Sequence, residues 1–255
     1  MKKIILLLSL TLLSSVLAAA QQRPKVWTEW SKKDAEKILN GSAWAQTQDD
    51  TDTSEMMYSP TSDPTITKTS SNSNASRDLT SRGRDESGAK NTPLSMRYRV
   101  RFFSAKPIRE AFARMIVLQQ QNADEGKLRS LAEKMQGWID ADLGDIIVLA
   151  VTVEATDRRL SGPVEQALRS ATAETLKGKC YLERNDGKRV EINIYEQPTA
   201  DQTGAKFVFA RSLDGQPFIT PETESVRFVA EFNDKIKVNR KYKVSEMMYN
   251  GKLEF

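Results

Sequence analysis

The chain has 255 residues, 39% of them hydrophobic and 28% charged, with a formal charge of +4 and no histidine. The missing imidazole excludes Ser-His-Asp and Cys-His catalysis and every His-ligated metal site. The single cysteine, Cys180, excludes an internal disulfide, and the charge balance is too small to argue for nucleic acid.

Residues 1–20 read as a secretory signal peptide. Lys2 and Lys3 supply the positive start, Ile4 to Leu13 the apolar stretch, and Val16-Leu17-Ala18-Ala19-Ala20 the small residues that place cleavage before Gln21. No cysteine follows for a lipid anchor, and the longest later apolar run, Ile146 to Val151, is too short for a membrane span. The expectation is a soluble exported product, periplasmic or extracellular, with no integral membrane span.

Residues 21–45 hold Trp27, Trp30 and Trp44, three of the four tryptophans. Between them a short helix is punctuated by Ser31 with Asp34 at the third position, a capping-box pattern, and by the stop signal Asn40-Gly41. Its apolar face, Ala35, Ile38 and Leu39, is narrow. So short a segment cannot form a core, and its indoles must pack on the rest of the chain or on a partner. Trp27, Trp30 and Trp44 are therefore candidate binding residues, with an envelope protein as the partner they would serve.

Residues 46–93 contain 18 Ser or Thr among 48 positions and almost no apolar periodicity. That composition predicts a disordered linker.

Residues 94–255 read as the folded domain. Met96, Tyr98, Val100 and Phe102 alternate with Arg97, Arg99 and Arg101, the period of a half-buried strand. Pro107 opens a helix to about Gln121, and a second runs from about Asp124 to Asp140. This helical hairpin makes the strands on either side antiparallel. The run Ile146 to Val153 is a buried strand, and Ser161-Gly162-Pro163 starts a third helix closed by Gly178. Then come strands at 180–184 and 189–195 around the hairpin signal Asn185-Asp186-Gly187, and at 206–211, 225–232 and 236–244. The sum is an α+β domain: one mixed, largely antiparallel sheet of about seven strands, and three helices.

Several of these residues carry a resemblance. Trp30-Ser31, Ile38-Leu39 and Ser42-Ala43-Trp44, the passage Val100 to Pro107, and Phe207-Val208-Phe209-Ala210-Arg211 resemble a family of uncharacterised exported bacterial proteins. The resemblance covers most of the chain after the signal but not the linker. Family members often carry Pro where this chain has Ala43 and Ala210. It implies export and no particular activity.

Few residues suggest chemistry. Asp140-Ala141-Asp142-Leu143-Gly144-Asp145 lacks the ligands an EF-hand needs at its fifth, sixth and twelfth positions. Ser87-Gly88-Ala89-Lys90 matches a β-lactamase motif but falls in the expected linker. Cys180 reads as a small buried thiol, and the last five residues, 251–255, as a final strand of the sheet. Arg97, Arg99 and Arg101 share one strand face, a candidate site for phosphate-rich glycolipid or another polyanion. No cofactor or metal is expected. The sequence therefore predicts a non-enzymatic exported binding or accessory protein. The alternative is a cell-envelope hydrolase using paired carboxylates drawn from Asp140, Asp142, Asp145 and Glu154.

Overall fold

The computed structural model describes residues 25–52, 94–120 and 123–255. The expected signal peptide, residues 53–93 of the expected linker and the Ser87–Lys90 motif lie outside them. A 3-10 turn at Trp27–Glu29 leads to α1 (Lys32–Asn40) and β1 (Ala45–Asp52). After residue 93 come β2 (Leu94–Phe102), α2 (Lys106–Gln119), α3 (Glu125–Ile139), β3 (Ile146–Ala155), α4 (Arg158–Ser170) and α5 (Ala173–Leu176). Next are β4 (Cys180–Arg184), β5 (Arg189–Glu196), β6 (Ala205–Ala210), and the two-residue β7 (Ser212–Leu213) and β8 (Gln216–Pro217). The chain ends with β9 (Ser225–Glu231), β10 (Lys237–Lys243), β11 (Met248–Tyr249) and β12 (Lys252–Leu253).

The architecture is α+β, built on an eight-stranded antiparallel sheet in the order β1-β2-β3-β6-β5-β4-β9-β10. Alternation along β2 sets its inner face. Tyr98, Val100 and Phe102 are almost fully buried, and the register carries that face across neighbouring strands. Phe102 lies opposite Leu149, which lies opposite Phe207; Leu182 lies opposite Phe228. Aromatic edges fill the middle, with Phe102 against Tyr242 at 4.8 Å and Phe207 against Phe228 at 5.2 Å.

The sheet curls almost into a barrel, and side chains join its two end strands. Gln48 on β1 donates from Nε2 to the Lys237 carbonyl (2.8 Å) and accepts from the Asn239 N–H (2.9 Å), both on β10. Its amide thus takes the place of a backbone peptide in a ladder. Arg240 adds a bond to the Thr47 carbonyl at 2.9 Å, and the buried Tyr242 hydroxyl donates to the Val100 carbonyl.

Three expected boundaries move. The linker was expected from residue 46, yet residues 46–52 belong to β1, paired residue for residue with β2. Its polar sequence needs no buried side chains there, because the bonds come from the backbone. The third helix begins at Arg158, where Asp157 caps the Arg159 N–H, and breaks at Ala171 so that Thr172 can cap α5 in a reciprocal box with Thr175. The C-terminal residues do not join the main sheet. Asn250 and Gly251, at φ 49° and 76°, form a tight turn that folds β12 back on β11 alone.

Candidate functional site

The N-terminal segment docks on its own chain. Trp27, Trp30 and Trp44 are 5%, 7% and 8% exposed, and each indole N–H has an acceptor. Trp27 donates to Gln136 Oε1 on α3, Trp30 to the Lys25 carbonyl, and Trp44 to the Glu254 carbonyl near the chain's other end. Trp44 also meets Tyr249 edge-on at 6.0 Å. Ser31 and Asp34 form the expected capping box on α1.

The three arginines of β2 do not form an open cationic face. Strand β1 sets Asp49 opposite Arg97, and the pair closes at 2.6 Å. Arg99 is held by Glu154 at 2.7 Å. Arg101 is buried beneath α1, donating to the Leu39 carbonyl at 2.6 Å, to Asn40 Oδ1 and to Thr152 Oγ1. It caps the C-terminus of α1, where the helix dipole favours a cation. Desolvation, with the Arg99 charge adding to it, lowers its pKa to about 10.

The carboxylates considered for hydrolysis are not assembled. Asp140 is engaged by Lys106 and Gln136, each at 2.6 Å, and the Lys106 contact does most to hold it below the usual carboxylate range. Asp142 accepts the Gly144 N–H inside its own turn. Asp140, Asp142 and Asp145 line neither of the two depressions described next, and Glu154 reaches one of them already paired with Arg99. Cys180 is fully buried, and burial pushes its thiol pKa well up, away from reactivity.

The larger depression, about 1110 Å³, lies where the N-terminal segment meets α2, α3 and the β11–β12 turn. Trp27, Trp30, Glu110, Gln136 and Tyr249 line it, with Lys25, Lys37 and Asn250 around it. Glu110 is 6% exposed, and Tyr249 donates a short hydrogen bond to its Oε2. Among the described residues nothing bonds its Oε1. Desolvation raises the Glu110 pKa, and burial and the Glu110 contact raise that of Tyr249. Gln136 is engaged through both ends of its amide, accepting from Trp27 and donating to Asp140. A carboxyl with a free oxygen thus sits in an aromatic-lined cleft, the usual build of a small-molecule site.

Sequence reasoning found Trp27 and Trp30 but missed Glu110, Gln136 and Tyr249. The available signal was local: Arg109 and Glu110 are charges set inside the stretch from Pro107 to Ala111 at the start of α2, all of which is buried. Charges placed there need a function or a partner. The smaller depression, about 390 Å³, lies between β3, α4 and residues 198–204, with Arg101 in its lining. Among the described residues no group of His, Cys, Asp and Glu could hold a metal ion, and no helix is long and apolar enough to cross a membrane. Comparison with protein-family models, curated proteins and solved structures finds no match to this chain.

Proposed function

We propose that this is a non-enzymatic exported binding or accessory protein that takes a small molecule in the cleft between its N-terminal segment and α2. One observation carries the reading. The cleft is assembled from three distant parts of the chain around a largely buried carboxyl, Glu110, one oxygen of which has no partner among the described residues. That oxygen is not walled in by the protein but opens to the cleft, where a ligand donor can reach it. The aromatic lining of the cleft supports a binding role, and the character of residues 1–20 supports export.

Gly41 provides the test. It lines the mouth of the cleft, and a Cβ added there meets nothing within 4 Å. Gly41→Trp should plug the cleft without disturbing the fold. A protein-observed NMR screen with a small-molecule library should yield binders that shift the Trp27 indole N–H signal. These should bind at least tenfold more weakly to Gly41→Trp. A screen without such binders, or binders indifferent to the plug, would rule the cleft out. Export is tested separately by intact mass, since the exported product should begin at Gln21.

A further inference from the structure

We infer that the smaller depression, between β3, α4 and residues 198–204, binds a small organic carboxylate with an apolar body, through Arg101 and Arg169. Arg101 is only 6% exposed. Its three acceptors, the Leu39 carbonyl, Asn40 Oδ1 and Thr152 Oγ1, are all neutral. Among the described residues it has no carboxylate within ion-pair distance, and two of its five N–H donors have no partner. A guanidinium removed from water without a counter-charge is costly, and a bound anion relieves that cost.

The surroundings define the anion. Arg99, the nearest other cation on β2, is neutralised by Glu154. On α4, the exposed Arg169 lines the same depression and makes no ion pair among the described residues. It supplies a second cation, while Glu165, one turn earlier, sets a limit of about one net negative charge on the guest. Phe112, Leu168 and Pro198 add apolar walls, and the Phe112 ring lies 5.7 Å from the Arg101 guanidinium carbon. A volume of about 390 Å³ suits a compact acid and falls within the range of small-molecule sites. The planar fork of Arg matches a carboxylate through paired hydrogen bonds.

The loop that closes the depression is held by its backbone. Gly204 has φ +93°, and a Cβ there would stand 2.3 Å from the Val151 carbonyl oxygen, so residues 198–204 approach β3 more closely than any other side chain allows.

The test uses the full mature chain in thermal melts with benzoate, hexanoate, inorganic phosphate and chloride at equal ionic strength. Benzoate and hexanoate should raise the midpoint by several degrees at millimolar concentration, and phosphate and chloride should not. Arg169→Glu, at an exposed position outside the core, should abolish the rise. Arg101→Lys keeps the charge but loses the fork, and should weaken binding at least tenfold by calorimetry, with circular dichroism checking that α1 stays folded. No rise with either carboxylate would overturn the inference. So would an equal rise with chloride, or a rise that survives Arg169→Glu.

Discussion

Replacing Gln48 with Ala should open the join between β1 and β10. The side chain makes two hydrogen bonds to the β10 backbone, at 2.8 Å to the Lys237 carbonyl and 2.9 Å from the Asn239 N–H. A net hydrogen bond contributes about 0.5–1.5 kcal/mol, and both groups lie near solvent that can take over part of the bonding. The expected loss is therefore about 1–2 kcal/mol, a fall in Tm of about 2–8 °C for a protein of this size. Hydrogen exchange gives the sharper assay. The Asn239 amide should exchange at least tenfold faster in Gln48→Ala. Gln48→Glu keeps the acceptor and should leave that amide protected, while losing the bond to Lys237. If Gln48→Ala changes neither Asn239 exchange nor Tm, the side chain does not hold the two strands together.

Glu110→Gln should become steadily more favourable as pH rises. The folded-state pKa of Glu110 is raised, so its contribution to stability is fully present below the ordinary glutamate pKa and is lost as pH rises through the folded value. Denaturant melts at pH 4 and pH 8 should show the difference between variant and wild type shifting toward the variant at pH 8; no shift would place Glu110 in water. Cys180→Ser, which puts a hydroxyl in a fully buried strand position, should cost about 1–2 kcal/mol, and native Cys180 should label slowly with thiol reagents. A protease site engineered between Thr53 and Pro93 should yield two pieces that co-elute after cleavage, because three buried tryptophans and the β1–β2 ladder hold them. Separation on size exclusion would contradict that docking. Trp44→Ala should cost about 3–5 kcal/mol in chemical denaturation, since it removes a buried indole and the partner of the Glu254 carbonyl.

The sequence was most legible where period and turn chemistry act locally. The inward alternation of Tyr98, Val100 and Phe102, the start of α3 beside Asp124 and the turn at Asn185-Asp186-Gly187 all stand where their local patterns place them. Strand β1 was not legible. From Gln46 onward its residues are polar on both faces, and they form a strand because β2 offers them an unpaired edge. The same interaction decided the arginines, since Arg97 meets Asp49 only once β1 is in place, and Arg101 is buried only once α1 lands on it. The cleft joins Glu110 to Tyr249, 139 residues away, and no pattern of short range encodes such a meeting. The five residues Ser54-Glu55-Met56-Met57-Tyr58 recur as Ser245-Glu246-Met247-Met248-Tyr249. In the second copy Met247 is fully buried and Tyr249 bonds Glu110, while the first lies outside the described residues.

The joining of β1 to β10 has a consequence for the order of folding. Gln48 and Asn239 stand 191 positions apart, and Trp44 bonds a carbonyl 210 positions away. A chain that emerges from its N-terminus first can form neither contact until Asn239 and Glu254 have been made. Until then, β1 has no β10 to meet and the indole of Trp44 has no acceptor near the C-terminus. Closure of so long a loop must precede the contacts that reward it, and folds dominated by such contacts form slowly. In this protein Gln48 and Trp44 wait for partners, Asn239 and Glu254, that are made long after them.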